Sequence, residues 1–494
     1  MSIEAEAHPQ PTQPVATAGS RARPPQHVLI LGAGPAGLGA AYELARHQVR
    51  CTLVDKNDLV GGLARTQEFK GFRFDVGPHR FFTKEETVNR LWHEVLGADF
   101  VPVRRLTRIF YGQRFFHYPL KAMDALLGLG IARSIAAFAS YLYARTVYRG
   151  RKAQSFEEWI TFHFGWQLYR AFFKTYTEKV WGIPCSQIAA QWAAQRIRGL
   201  NLWRAAKTAF LGNRDGIRTL VDQFHYPRLG AGMLYEKMAE KARAVGGRVL
   251  LGCTVEEIFI SGNRVTGFRC SDGQRFDVGL EDCLLSSIPI TEFVAKLSVP
   301  PPPAVLEAAR KLRYRDHITV NLTYFGPRPF PDNWIYVHSE KVRTARITNY
   351  SNFTREMVPA DDAHGLAVEY FCFREDDIWK MPDDQLIRLA VDELRQIGVV
   401  NAENVKDGFV VREKDAYPAY YAGYESSYEI LKSYVAGLAN VQMIGRGGMF
   451  KYGNQDHALM TGILAARNLI GEDHDVWAVR EEEEYLEEKR GGSK

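Results

Sequence analysis

Val28-Leu29-Ile30-Leu31-Gly32-Ala33-Gly34-Pro35-Ala36-Gly37, residues 28–37, is the stretch on which the fold turns. The apolar run His27 to Leu31 reads as a buried parallel strand. It meets a Gly-x-Gly-x-x-Gly turn, and a helical pattern follows through Ala45. A second apolar run, Cys51 to Val54, ends at Asp55, which completes a βαβ unit. Each glycine has a physical task. Gly32 permits the tight turn, Gly34 lets a pyrophosphate approach the backbone, and Gly37 lets the helix pack on the strand. The helix N-terminus offers free N–H groups and a partial positive charge to phosphates. Asp55 stands about 20 residues on, where a carboxylate can take ribose hydroxyls. Together these predict a dinucleotide site.

The rest of the chain bounds what surrounds that site. At roughly 100–200 residues per domain, 494 residues predict two or three domains, and a hydrophobic content of 46% predicts a soluble globular protein with a large core. The 63 basic and 57 acidic residues leave a net charge of +6, an excess too small to imply nucleic acid but compatible with a small anionic substrate. The six cysteines, Cys51, Cys185, Cys253, Cys270, Cys283 and Cys372, form no C-x-x-C pair and lie near no spaced histidines. That pattern predicts reduced, buried thiols in a cytoplasmic protein, with neither a disulfide framework nor a metal site. Residues 1–26 are rich in Pro, Ala, Ser and Gln, lack the apolar run of a signal peptide, and read as a disordered tail. Ala122 to Tyr148 is the most apolar stretch, interrupted by Asp124, Arg133 and Arg145. It reads as a buried helix pair. The alternative is a peripheral membrane surface, because Arg145, Arg149, Arg151 and Lys152 cluster at its end.

Periodicity organises the remainder. Residues 120–220 are mostly helical in pattern, and 230–246 reads as another helix. Residues 247–259 and 264–270 read as strands joined by a Gly262-Asn263 turn. Alternation over 317–326, 334–338, 343–350 and 366–374 predicts an antiparallel sheet. A helix over 382–398 has proline at its start and glycine at its end. A strand over 443–445 and a helix over 456–470 come last, before a charged, solvated helix at 480–490. The predicted fold class is α/β: a discontinuous Rossmann-type dinucleotide-binding domain built from 27–100, 222–292 and 436–472. A helical insertion occupies 120–221, an antiparallel-sheet substrate domain occupies 101–119 and 293–435, and a charged tail covers 473–494.

The assignment of FAD comes from a resemblance. Val60-Gly61-Gly62-Leu63-Ala64-Arg65, just past Asp55, resembles the second glycine turn of the two-dinucleotide-binding-domain flavoproteins, the amine-oxidase-like superfamily. The resemblance implies that Gly62 and Arg65 face the flavin side of the pyrophosphate, and that Arg248 to Leu251 with Val255 contacts the adenosine end.

A closer resemblance is to the UDP-galactopyranose mutases, especially the eukaryotic type, and it covers most of residues 27–470. Phe74-Asp75-Val76-Gly77-Pro78-His79 resembles the family's glycine–histidine loop, which implies that His79 lies beside the flavin ring; Pro78 stands where the family usually has a second glycine. Tyr176-Thr177-Glu178-Lys179-Val180-Trp181 and Trp192-Ala193-Ala194-Gln195-Arg196 resemble the helical substrate domain, which implies that Trp181 lines the site and Arg196 binds a diphosphate. Trp334-Ile335-Tyr336 with Arg343 resembles a strand pair in which the tryptophan packs a nucleobase and the tyrosine and arginine hold the diphosphate. Tyr417 and Tyr452 match diphosphate-binding tyrosines. Gly445-Arg446, with Asn454-Gln455-Asp456 leading into the last helix, would cradle the flavin. Tyr118 fits the nucleotide-side loop, but Leu120 and Lys121 replace an aromatic and an amide, and Thr177 replaces an asparagine. The diphosphate set is thus complete while the nucleobase end is altered, so another nucleotide or a lipid-linked sugar phosphate fits as well as UDP.

The resemblance implies a small anionic glycosyl-diphosphate substrate and pyranose–furanose interconversion, in which the reduced flavin N5 attacks the anomeric carbon and NAD(P)H can act as reductant. The catalytic set it implies is His79, Arg196 and Arg343. The alternative is an FAD-dependent oxidoreductase of the amine oxidase, protoporphyrinogen oxidase or desaturase type, which shares the same fingerprint.

Overall fold

The computed structural model describes residues 25–118, 120, 128–190 and 223–479. Its central element is a five-stranded parallel sheet, in the order Val441–Met443, Cys283–Ser286, Val28–Leu31, Cys51–Val54 and Arg248–Leu250. The register places Val28 beside both Cys51 and Cys283, and all four residues of each of these three central strands are buried. Strands covered on both faces need continuous apolar runs, as these have. The chain therefore leaves the sheet twice and returns twice, as the α/β reading requires.

What closes the loop is a helix pair. The opening helix Pro35–Arg46 lies against the closing helix Gln455–Leu469. Glycine makes this possible: a Cβ on Gly462 would fall 1.9 Å from the carbonyl oxygen of Ala36, and one on Gly39 would fall 2.8 Å from that of Leu459. The two backbones therefore touch directly. Arg467 Nε also donates to the buried Glu43 carboxylate at 2.8 Å.

A second sheet of seven strands has the order Val405–Pro418, Tyr314–Phe325, Ala363–Cys372, Arg346–Asn349, Trp334–Val337, Thr107–Tyr111 and Arg114–His117. Only the Trp334–Val337/Thr107–Tyr111 pair is parallel. One face carries the helix Asp383–Ile397, which buries Leu386, Ala390, Leu394 and Ile397 and ends at Gly398 in the left-handed region. The helical insertion is fastened to this sheet by two cations, a half-buried lysine and a buried arginine. Lys179 Nζ donates to the carbonyls of Val337, Ser339 and Thr344, and Arg315 donates to those of Lys179 and Val180.

Three expectations are corrected. The apolar stretch Ala122 to Tyr148 is not buried where it is described: the helix Ile131–Val147 buries only Ala137 and Ala144, and residues 121–127 lie outside the described residues. Among the described residues, nothing covers its Ile131, Ile135, Phe138 and Leu142. Cys253 and Cys270 form a disulfide, leaving Cys51, Cys185, Cys283 and Cys372 as buried thiols. The pairing follows from hairpin register, since Val255 lies opposite Cys270 and brings Cys253 near; no local spacing motif encodes it. The predicted strand over 343–350 begins only at Arg346, which matters for the site. Arg196 and the helix expected over 480–490 lie outside the described residues. Among the described residues, no helix is long and apolar enough to cross a membrane.

Because Gly462 is in backbone contact, Gly462→Ala is expected to destabilise the protein by about 1–3 kcal/mol, the usual penalty of overpacking. Thermal unfolding of the cofactor-stripped protein measures this; an unchanged midpoint would mean that the two helices can separate freely.

Candidate functional site

A cavity of about 630 Å³ runs between the two sheets, within the range of ligand sites. One end is built by the glycine turns. Gly32 has φ +100°, and a Cβ there would meet Ser287 Oγ at 2.2 Å. A Cβ on Gly37 would fall 1.9 Å from the Gly32 carbonyl oxygen, so this residue serves packing and does not face the cavity. A Cβ on Gly34 would instead enter open space, with Gly62 Cα its nearest neighbour at 3.9 Å. No side chain caps the helix that starts at Pro35. Its first-turn N–H groups therefore face a slot of diphosphate size.

Asp55, also at the cavity, accepts from Ala33 N at 2.6 Å and from Asn57 N and Nδ2 at 2.8 and 2.9 Å. A carboxylate has about four lone-pair sites, which leaves one for a ribose hydroxyl. Val255 also lines the cavity, as do Gly62, Gly445, Arg446, Asn454, Gln455 and Asp456. Gln455 is oriented by Tyr235, whose hydroxyl donates to its amide oxygen at 2.7 Å. Burial raises the Asp456 carboxyl, but hydrogen bonds from His457 and Thr83 outweigh this and hold it below its ordinary value. These residues fit an FAD dinucleotide: the cradle is glycine where a side chain would collide, and a carboxylate waits at the ribose position.

Two predicted cofactor residues have other tasks. Arg65 does not reach the cavity; it is buried against Glu413 and donates to the Gly62 carbonyl at 2.9 Å. It thereby fixes the second glycine turn from behind, with its charge already neutralised. Arg446 does line the cavity, but its guanidinium donates to the Gly453 and Ala416 carbonyls and lies over the rings of Tyr417 and Tyr452 at 4.8 and 5.2 Å. It orders those two tyrosines.

His79 lines the cavity. Its Nδ1 is 3.8 Å from Asp75 Oδ2 and has no hydrogen-bond partner, because Asp75 is already engaged by Thr66, Tyr226 and the Ala231 amide.

The other end is aromatic, and Tyr118, Trp181, Trp334, Tyr336, Tyr417 and Tyr452 all reach it. Tyr336 packs edge-on against Tyr118 at 4.9 Å and against Tyr176 at 5.2 Å. Trp334 is stacked on Phe353, so one of its faces is already covered.

The arginine at this end is Arg346. Arg343 precedes the strand, is half exposed, and makes a bidentate pair with Asp377 on the surface at 2.9–3.0 Å. Arg346 begins the strand, directly opposite Tyr336 on one side and Glu369 on the other. Its Nε and Nη2 grip Glu369, leaving Nη1 outside the pair. Glu369 is fully buried and also bonded to His317 Nε2 at 2.9 Å. Burial works against its charge, but Arg346 and His317 prevail and hold it down at about 2. Gly77, at φ +84°, lets its loop pass close to this cluster: a Cβ there would lie 3.4 Å from both Arg346 and Glu369. Burial lifts the Tyr176 and Tyr417 phenols above their ordinary range, which keeps them as O–H donors.

Sequence reasoning missed Arg346, Glu369, Tyr176 and His338 as site residues; strand register sets the first two, while Tyr176 comes from the helix Thr175–Trp181 and His338 from just past the strand Trp334–Val337. Alternation within 334–338 and 343–350 could have flagged Arg346 as the partner of Tyr336, had the first residue of the strand been known.

A family model described as flavin containing amine oxidoreductase matches residues 35–470. The phytoene desaturase (lycopene-forming) of Pantoea ananas is 23% identical over 317 residues, 60% of this chain and 62% of the relative. A probable UDP-galactopyranose mutase of Klebsiella pneumoniae is 31% identical over 178 residues, 33% of this chain and 43% of the relative. The chain thus spans less than two thirds of the length of these curated relatives. The crystal structure of a reduced UDP-galactopyranose mutase superposes with a TM-score of 0.80 at 22% identity, covering 92% of this chain and 97% of that one, a likeness of fold.

His338 yields a pH prediction. It is buried, lines the cavity and stacks on Tyr176; burial and then the Lys179 charge depress it from 6.5 to about 3. A group depressed on folding stabilises the protein above its unfolded value, and that contribution is lost as pH falls from about 6.5 towards about 3. His338→Phe, which keeps the ring stacking, is expected to flatten the decline of the unfolding midpoint between pH 6.5 and 5. Parallel declines in the two proteins would show that His338 titrates normally.

Proposed function

The chain belongs to the flavin containing amine oxidoreductase family, and from that premise we propose that it is an FAD-dependent enzyme acting on a glycosyl diphosphate, interconverting pyranose and furanose forms of a nucleotide- or lipid-linked sugar. The observation that carries this reading is Arg346, set among Tyr118, Tyr176, Tyr336, Tyr417 and Tyr452 at the end of the cavity opposite the dinucleotide turns. An arginine edge and several phenols are donors suited to phosphate oxygens. Bound FAD in its reduced form supplies the nucleophile towards the anomeric carbon.

The protein's part is positional. Arg346, held by Glu369, presents Nη1 to the departing diphosphate, and the charge that grows there is stabilised without the guanidinium having to move. Tyr176 and Tyr417 donate while neutral. Trp181, which is buried, and Tyr452 form the wall that keeps the sugar near the cofactor and away from water. His79 lines the cavity with its Nδ1 buried against Asp75, so its other ring nitrogen suits a hydrogen bond to cofactor or sugar. The similarity to proteins named UDP-galactopyranose mutase, in sequence and in fold, supports this reading.

A second reading rests on a different observation. Ile109, Leu120, Phe156, Phe172, Phe173 and Val180 line the same end, and Glu369 offsets the Arg346 charge. An oxidoreductase acting on an apolar substrate would use such a wall, and the desaturase relative is consistent with it.

One experiment separates the two. Dithionite-reduced protein is incubated with UDP-galactopyranose and a panel of other nucleotide sugars, and the products are resolved by chromatography and NMR. The mutase reading expects a furanose isomer from the reduced protein and none from the air-oxidised protein. No isomer from any donor, together with bleaching of the flavin by an amine or polyene, would move the assignment to the oxidoreductase.

Charged hydrogen bonds contribute about 1.5–3 kcal/mol each. Calorimetry with UDP is accordingly expected to show at least about tenfold weaker binding for Arg346→Ala, with Arg343→Ala indistinguishable from the parent. Equal affinities for the Arg346 variant and the parent would remove that residue from the site.

A further inference from the structure

The helix Ile131–Val147 carries an apolar stripe that nothing among the described residues covers. Ile131, Ile135, Phe138 and Leu142 recur every three or four residues, which puts them on one side of a helix. They are 82%, 65%, 52% and 45% exposed. The opposite side is the one that packs: Ala137 and Ala144 are buried, and the backbone at Ser140 touches Gly165 between the helices Phe156–Phe164 and Trp166–Tyr169. The stripe is therefore not a folding contact within the described part of the chain.

The charge around it has one sign. Residues 128–155 contain Arg133, Arg145, Arg149, Arg151 and Lys152 and no Asp or Glu. All five cations are exposed, and none pairs with a carboxylate among the described residues. Tyr143 and Trp166 are also exposed beside the stripe. Apolar side chains rimmed by cations, with tyrosine and tryptophan at the margin, are the composition of a helix lying in a lipid interface. No helix among the described residues, this one included, is long and apolar enough to cross a membrane.

We propose that this face seats on an anionic lipid bilayer, with the helix Ile131–Val147 lying in the plane of the headgroups and its apolar stripe directed into the acyl boundary. Charge decides against a second copy of the same face. A two-fold contact would set five cations against five with no carboxylate between them, whereas an anionic leaflet attracts every one of them. The seat also has a consequence for access. Phe156 begins one of the two helices beneath the seated one, and Phe172 and Phe173 follow the other; all three line the aromatic end of the cavity. That end would thus lie one helix layer from the lipid. The proposal stands on the surface alone and does not depend on which reaction the cavity performs.

The test is co-sedimentation of the full-length flavoprotein with vesicles of phosphatidylcholine alone and of phosphatidylcholine with phosphatidylglycerol. The expected result is pelleting with the phosphatidylglycerol vesicles, release at high salt, and little pelleting with phosphatidylcholine. Phe138→Glu is expected to reduce the bound fraction roughly tenfold while the flavin spectrum stays that of the parent, since a charge on this face resists insertion. The double substitution Arg151→Glu and Lys152→Glu, which leaves the stripe intact, is expected to weaken binding in the same direction. Failure to pellet with phosphatidylglycerol vesicles would overturn the proposal. So would pelleting that neither variant changes, or a dimer by light scattering that Phe138→Glu converts to monomer.

Discussion

The contact between the opening and closing helices is the constraint on which the rest depends. Ala36 and Gly462, far apart in sequence, touch backbone to backbone. The approach is too close for any side chain, so the two helices cannot slide without breaking many contacts together. Both helices begin at the cavity, at Pro35 and at Gln455. Fixing their mutual position therefore fixes two positive helix ends around one slot. Everything inserted between them can vary as long as the chain returns to this pairing. That is how one parallel sheet survives two long excursions, the first into helices and two strands of the second sheet, the other into the rest of that sheet.

The second constraint is electrostatic. Glu369 has no exposure to solvent, and an unpaired carboxylate there would be very costly. Arg346 and His317 satisfy it, and the pair holds three adjacent strands in register through Tyr336, Arg346 and Glu369. Buried ion pairs are poor sources of net stability, since desolvation consumes most of the attraction. The arrangement is better understood as placement: a guanidinium locked on two nitrogens keeps its third at a fixed point of the cavity. Lys179 and Arg315 follow a similar logic elsewhere, where ammonium and guanidinium groups donate to backbone carbonyls and bind the helical insertion to the sheet. Burial lowers the Lys179 ammonium to about 8 and the Arg315 guanidinium to about 10, a measure of how far both have left water.

The legibility of the sequence follows from the distance over which each constraint acts. Gly32, Gly34 and Gly37 are readable because their steric requirement is written within six residues. The α/β class is readable for the same reason, since apolar runs and glycine turns are local. Arg343 and Arg346 could not be told apart, because three residues of register decide which one faces Tyr336. Arg65 sits in the expected turn, but Glu413, which claims its charge, lies on a distant strand. The Cys253–Cys270 bridge depends on the pairing of a hairpin, and the helix Ile131–Val147 has an ordinary apolar pattern whose exposure depends on what packs beside it. In each case the missing information is a neighbour distant in the chain.

The charge balance at the aromatic end constrains what can bind there. Arg346 is half spent on Glu369, and Arg446 is spent on the Gly453 and Ala416 carbonyls. Among the described residues this end therefore offers a diphosphate less net positive charge than its arginines suggest. What it offers instead is directed donors: one guanidinium nitrogen outside an ion pair, and phenols kept neutral by burial. Recognition by placed donors depends on geometry more than on total charge, and a low-dielectric wall strengthens each hydrogen bond. A ligand whose charge is concentrated on a few phosphate oxygens gains most from such a site. A diffuse polyanion gains little, because the fixed arginine and the tyrosines around it present only a few donors at set positions.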